Sequence, residues 1–337
     1  MSTNFWQGKR VFITGHTGFR GSHLALALQK AGAIVFGYSL APATTPNFFE
    51  VANVGDGMTS TFADVRDAQS LNSALDFAQA EVVFHLAGGG GLKESLDKIP
   101  EVYSTQVMGT VNLLESLKQT ATVRAVVVLT SDKVYRVNIA QNSYTEDDAL
   151  AGNSPISAAK ACAELVVQSY LNSVFSTDKY NRHKISIATA RMGAVVGGGD
   201  FEENSLVYLL AQAAQGGGDL PLRNPNSQRS WLFVDDAIQG LLALAEKLIE
   251  KGPKAAGPWN FSAGAGGILS VSEFKNAFME SFRGVKAAEL DLVNKGVSTH
   301  GILNSQKAET ELGWSAKYSP IQAAQNCATW YKKYYST

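Results

Sequence analysis

Three groups of residues in this 337-residue chain have types and spacing suited to chemistry. The first is Thr14-Gly15-His16-Thr17-Gly18-Phe19-Arg20-Gly21. Gly15 permits a tight turn, Gly18 lets the backbone approach a pyrophosphate, and Gly21 lets a helix pack on a strand; a helix starting here offers unpaired N–H groups to the anion. The second is Ser131-Asp132-Lys133, a hydroxyl, a carboxyl and an amine in succession. A carboxylic acid beside an amine divides proton donation from proton abstraction if burial tunes both pKa values. The bland alternative is that Asp132 and Lys133 cap a strand end. The third is Lys160, an amine on the helical stretch Ile156 to Tyr170.

These groups need a scaffold, and the flanking residues supply one. Lys9 to Thr14 is a β-branched run, Ser22 to Ala31 reads as a helix, and Ala33 to Tyr38 is a second strand, which makes one βαβ unit. An Asp-rich turn follows Phe62, then a helix near Gln69 to Ala78, the strand Glu81 to Leu86, a helix near Val102 to Lys118 and the strand Val123 to Thr130. The helix near Ile156 to Tyr170 and the strand Lys184 to Ala190 continue the alternation. Strands alternating with helices predict an α/β fold, a Rossmann-type doubly wound parallel sheet. From about Gly197 polar, glycine-rich loops take over, at Gly197 to Asp200, Gly216 to Asp219 and Arg223 to Ser230. Residues 1–196 are expected to form the dinucleotide-binding domain, which takes back roughly 229–258, and 197–228 with 259–337 a smaller carboxyl-terminal substrate lobe.

Composition narrows the function. A net charge of −1 argues against nucleic acid as a partner, and 45% hydrophobic residues argue against disorder. Cys162 and Cys327 make neither a disulfide framework nor a zinc motif, so no metal is expected and a reducing, cytoplasmic setting is. No apolar run approaches the ~20 residues that cross a bilayer, so no membrane partner is expected. GxSxG, HExxH and P-loop patterns are absent, which removes acyl transfer, zinc hydrolysis and Walker-type hydrolysis.

Cofactor choice stays open at this point. An acid about twenty residues beyond the glycine turn marks NAD, but Tyr38 and Ser39 end the second strand. Arg20 and His16 are compatible with a 2′-phosphate, so NADP is not excluded beside NAD. Asp64, in Asp64-Val65-Arg66-Asp67, reads either as an adenine contact or as an ordinary helix-start acid.

The glycine turn, Asp64 to Asp67, His85-Leu86-Ala87, Thr130 to Lys133 and Lys160 together resemble the extended short-chain dehydrogenase/reductase family. Within it the chain is most similar to the nucleotide-sugar 4,6-dehydratases that use CDP-glucose. Phe5 to Lys9, Val107 to Glu115, Cys162 to Leu165, Gly197 to Asp200 and Arg223 to Pro225 carry that closer likeness. The resemblance implies a homodimer and a redox-neutral lyase reaction: C4 oxidation by NAD, loss of water across C5 and C6, and hydride return to C6. It assigns the dinucleotide to Gly15, Thr17, Gly18, Phe19, Arg20, Gly21, Asp64, Val65, Leu86, Ala87 and Lys160. Ser131 helps at the 4-hydroxyl, Asp132 and Lys133 act as acid and base, and Arg223 and Arg229 meet the substrate.

The departures from that pattern cluster. The family's proton-accepting tyrosine lies four residues before its lysine, and this chain has Ile156 there. Isoleucine cannot transfer a proton, and Ser157 lies ~100° around the helix. Gly88 to Gly91 stand where bulkier side chains are usual and read as a pocket emptied beside the nicotinamide. Gln106 and Ala194 replace asparagines, Ser205 an arginine and Phe233 a histidine. Tyr135 is the nearest alternative base, set against its reading as a packed aromatic. A nicotinamide-dependent enzyme on another small-molecule substrate, and a catalytically silent dinucleotide binder, are the other readings.

Overall fold

Successive side chains of a strand point to opposite faces, so a strand apolar at every position needs cover on both sides. Strand β1 (Arg10–Thr14) sends Val11 and Ile13 into one hydrophobic cluster and Phe12 into another. A computed structural model describes residues 5–88, 92–138, 143–263, 267–284 and 302–336. In it β2 (Ile34–Ser39), β3 (Met58–Phe62), β4 (Val82–His85), β5 (Ala125–Leu129), β6 (Ser186–Met192) and a late strand, Gly257–Phe261, join β1 in one sheet. All of its pairings are parallel.

Helices supply the cover. On one face lie α1 (Phe19–Lys30), through Leu24, Ala25 and Leu28, and the long helix Val234–Lys251. On the other lie α2 (Ala68–Ala78), α3 (Gly109–Leu117) and α4 (Pro155–Leu171), through Leu71, Leu75, Leu113, Leu114, Leu117 and Val167. Each fully buried leucine of this kind contributes about 1.5–3 kcal/mol. Pro155 and Ser154 start α4 cleanly, because Ser154 accepts from the Ser157 N–H at 3.3 Å.

Spatial order runs β3-β2-β1-β4-β5-β6 and then the late strand at the edge. Chain order therefore reverses between β1 and β4, and the crevice beyond their carboxyl ends is where open α/β sheets take ligands. The chain returns to this sheet as far as Phe261, three residues past the 258 read from sequence. A second, three-stranded sheet joins Ala194–Val196, Gln228–Phe233 and Ile268–Ser270. Helices Leu206–Gln215, Val271–Arg283 and Pro320–Tyr334 pack around it.

The expected helix over 102–118 is interrupted. Ile99–Tyr103 and α3 are joined by a π turn, Ser104–Met108, whose one buried residue is Gln106. Among the described residues no helix is long and apolar enough to cross a membrane. Both cysteines are unpaired.

Candidate active site

The glycine turn is built by close approach. Gly15 has φ +78°, and a Cβ there would lie 2.7 Å from the Ala87 nitrogen; a Cβ on Gly21 would strike the Gly15 carbonyl. Gly18 is the N-cap of α1 and offers no side chain to it, which leaves the first N–H groups of that helix for an anion. Thr17 Oγ1 donates to the Leu40 carbonyl at 2.9 Å and lies 2.9 Å from Ser39 Oγ, tying the turn to the end of β2. Phe19 packs edge-on to His23.

Asp64 is held by its neighbour: it accepts from the Arg66 backbone N–H and Nε at 2.9 Å and from Nη2 at 2.6 Å. Those bonds hold its carboxyl below the usual range. Asp67, not Asp64, caps α2, through the Ser70 N–H at 3.0 Å. Val65 is buried against Gly109. Arg20 lies within electrostatic range of Asp132, Asp200 and Lys160. His16 is buried between Phe49 and Phe62, and burial lowers its pKa to about 4 against the opposing effect of the Tyr38 backbone.

At the switch point a buried relay fixes a histidine tautomer. Thr110 spends its proton on the Gln106 carbonyl at 2.6 Å, so its oxygen can only accept from His85 Nε2 at 3.3 Å. His85 Nδ1 is then the acceptor facing Thr14 Oγ1 at 2.7 Å, and Thr14 Oγ1 in turn accepts from the Ala87 N–H at 3.2 Å. Burial, followed by the nearby Lys160 charge, pushes His85 down to about 4, so the ring is neutral. Leu86 and Ala87 are half-buried beside it.

One step along this wall the sequence expectation changes. Gly88 does not leave a void: a Cβ there would come within 2.3 Å of Gln106 Nε2, so the longer Gln106 side chain fills that space. Its buried Nε2 has no hydrogen-bond partner among the described residues. Gly89 to Gly91 lie outside the described residues.

Ser131 caps a short turn, Asp132–Val134, by accepting from the Lys133 N–H at 3.2 Å. Its hydroxyl donates to Asp132 Oδ1 at 2.9 Å. Asp132 is partly buried, Lys133 exposed. Helix α4 packs against this turn and carries Ile156 and, one turn later, Lys160. No hydrogen bond to Lys160 forms among the described residues. Its desolvated surroundings, and then the Arg20 charge, lower its pKa to about 8, against the opposing pull of Glu164.

Neither hydroxyl near Ile156 is free to stand in for a tyrosine. Ser157 is buried, 2.8 Å from Ser154 Oγ. Tyr135 donates to Asn260 Oδ1 at 2.6 Å, accepts from Arg191 Nη1 at 2.8 Å and stacks on Tyr144 at 5.0 Å. Burial pushes its phenol up to about 12. Sequence reasoning missed the network behind it: Glu164 accepts from Thr130, from Thr189 at 2.7 Å and from Arg191 Nη2 at 2.9 Å. The signal was an acid one turn after Lys160, set in the otherwise apolar stretch Ala161 to Val167.

The lobe contributes unevenly. Arg229 lies over the Trp231 ring at 5.7 Å, and burial lowers its pKa against the opposing pull of the Asp132 carboxylate. Arg223 is exposed. Ser205 donates to Asp200 Oδ2 at 2.7 Å, and Phe233 is buried against Tyr318. Gly198 and Gly199 lie tight against Trp330 and Phe48. Among the described residues no three His, Cys, Asp or Glu are grouped to hold a metal.

A glycine cradle at a strand-to-helix turn, a polar crevice at the switch point and a capping lobe define a dinucleotide-binding α/β protein of the epimerase/dehydratase kind. The sequence profile described as "NAD dependent epimerase/dehydratase family" matches residues 11–256, and the chain belongs to that family. It is 36% identical to CDP-glucose 4,6-dehydratase of Salmonella typhimurium, over 98% of this chain and 92% of that one. Identity to UDP-glucose 4-epimerase of Erwinia amylovora is 27%, over 90% of this chain and 92% of the other. In fold it is similar to the NAD complex of dTDP-glucose 4,6-dehydratase from Bacillus anthracis, with TM-score 0.78, 21% identity and 97% of each chain covered.

The family's cofactor is NAD. The residues present fit its diphosphate half: the uncapped α1 amino terminus and the cradle that a Cβ on Gly15 or Gly21 would fill are both intact. At the other half Lys160 is available to ribose hydroxyls, while position 156 has nothing to exchange protons.

Proposed function

We propose that this chain is a nucleotide-sugar 4,6-dehydratase-type lyase, taking a CDP-glucose-like substrate beside NAD, whose weak step is the oxidation at C4. The observation that carries this reading is the 36% identity over nearly the whole chain to CDP-glucose 4,6-dehydratase. Ser131 joined to Asp132, and Lys160 on the facing helix, support it. When bound, NAD takes up and returns a hydride. Lys160 holds the ribose, the Gly15–Gly21 turn and Arg20 the dinucleotide, and Asp64 with Val65 the adenine side. Asp132 and Lys133 move the protons at C5 and C6, and Arg223 and Arg229 meet the substrate's diphosphate.

The test offers CDP-, UDP-, GDP- and dTDP-glucose with NAD in D2O. Slow formation of a 4-keto-6-deoxy product labelled at C5 is expected. Neither binding nor product with any of the four would overturn the assignment.

Ser157 and Tyr135 being spent elsewhere favours a second reading, a chain that holds NAD and a nucleotide sugar without oxidising it. Leu96, Ile99, Met108 and Leu165 are exposed on neighbouring helical elements, which supports a homodimer through that face. Light scattering checks it: Leu165→Glu should halve the solution mass, and a wild-type monomer would end the idea. Two unpaired cysteines fit a cytoplasmic setting.

A further inference from the structure

Asp132 is placed by the chain on either side of it, and both sides lead to one buried ion pair. Arg191 of β6 and Glu164 of α4 meet at 2.9 Å, with side chains 4% and 3% exposed. Thr130, the residue before Ser131, donates its hydroxyl to Glu164 Oε1 and its backbone N–H to the Ala190 carbonyl at 2.9 Å. Tyr135, the residue after Val134, accepts from Arg191 Nη1 at 2.8 Å. Only Ser131 to Val134 lie between these two fixed points. Ser131 Oγ closes that short span by donating to Asp132 Oδ1 and accepting from the Lys133 N–H.

The same pair fixes α4. Glu164 follows Lys160 by four residues, about 6 Å along one face of the helix. Its Oε1 takes Thr130, and its Oε2 takes Thr189 at 2.7 Å and Arg191, so the carboxylate cannot turn without breaking bonds to β6 and to the end of β5. A pair so enclosed resists opening, because either charge alone would be left unpaired in the interior.

We infer that Glu164 and Arg191 are positioning residues, which set the Ser131–Val134 turn in register with Lys160, and that Thr130 is the link by which this register reaches Asp132. The inference rests on the reading that the turn moves protons on a nucleotide sugar. Both charged side chains are too deeply buried to touch the sugar, so they act through orientation alone. Catalysis is steep in orientation: a displacement of about 1 Å costs about 10²-fold.

Two variants of like shape separate positioning from packing. Thr130→Val and Thr189→Val each remove one hydroxyl from the same carboxylate and should lower the urea midpoint alike, but only Thr130 leads into the turn. The full chain is incubated in D2O with CDP-4-keto-6-deoxyglucose, whose labelling at C5 reads proton movement without any oxidation, and binding is measured by calorimetry. At saturating sugar Thr130→Val should label about 10-fold more slowly than wild type with its dissociation constant unchanged, and Thr130→Ser should restore the rate. Thr189→Val should label at the wild-type rate. Equal slowing in the two valine variants, an undiminished rate in Thr130→Val, or a loss that lies wholly in binding overturns the inference and leaves the nucleotide-sugar reading standing. A wild-type chain that binds the sugar without labelling it also overturns the inference. If the sugar does not bind, the nucleotide-sugar reading falls with it.

Discussion

Arg191 donates from Nη1 to the phenolic oxygen of Tyr135 across 2.8 Å, and the same guanidinium donates from Nη2 to Glu164 across 2.9 Å. The tyrosine nearest the acid-bearing turn is thus part of the interior that holds β6 to α4. Tyr135→Phe should cost about 1–3 kcal/mol in denaturant unfolding, because Asn260 and Arg191 each lose a buried partner. The pH profile of any catalysed labelling should be unmoved. A lost alkaline limb in that profile would make Tyr135 a proton carrier after all.

Acid should unfold this protein through its histidines. Burial lowers His16, His23 and His85 from 6.5 to about 4 each. Between those values the unfolded chain binds protons that the folded chain refuses, so stability falls as pH falls from 6.5 toward 4. Each group adds a slope of about 1.4 kcal/mol per pH unit within that window. His16 packs against the rings of Phe49 and Phe62, so His16→Phe should keep the fold and flatten the slope by about one group's share. Urea midpoints at pH 5 and 7 check it.

Lys160 predicts the same direction of change on the alkaline side. Its pKa falls from 10.5 to about 8 on folding, through desolvation and then Arg20. Below about 8 the fold carries the whole cost of that charge, and from there to 10.5 the cost is relieved as pH rises. Lys160→Met should therefore stabilise the cofactor-free protein at pH 7. Arg20→Leu should move the lysine's titration upward, read from the NMR shift of its ε-carbon. No movement would mean the two cations do not share the crevice.

Sequence reached the sheet because Val11 to Ile13, Val82 to Phe84 and Val126 to Val128 are apolar on both faces, a pattern that only a twice-covered strand satisfies. The glycine turn was legible for a similar reason, since its spacing records close approaches of backbone. Contacts between distant segments were not legible. Nothing local ties Gln106 to Gly88, and a one-residue π insertion decides where Gln106 points. The position of Arg20 was hidden likewise, because its charged neighbours come from the turn after β5, from α4 and from the lobe.

Dinucleotide binding should fail at one backbone position. Gly15 has φ +78°, and an added Cβ would meet Ala87 and Leu86 backbone atoms within 2.9 Å. Gly15→Ala should abolish quenching of tryptophan fluorescence by NADH. Gly8, also at positive φ (+73°), has nothing within 4 Å of its Cβ position, so Gly8→Ala is the control that keeps binding. Equal loss in both variants would point to unfolding instead of a blocked cradle.

Ile156 should be the position at which C4 oxidation returns. It is half-buried on the face of α4 that carries Lys160 one turn later, and Ser154 already caps that helix, so a tyrosine there needs no change of backbone. With its phenol beside the Lys160 ammonium, the charged form of the tyrosine is favoured and its pKa falls. A general base typically contributes 10²- to 10⁴-fold, so Ile156→Tyr should raise NAD-dependent deuterium labelling of CDP-glucose by about that factor. Labelling of the 4-keto sugar, which needs no O–H proton acceptor, should not rise with it. If both substrates gained equally, the substitution would be acting on binding, and the isoleucine would not be what separates the two reactions.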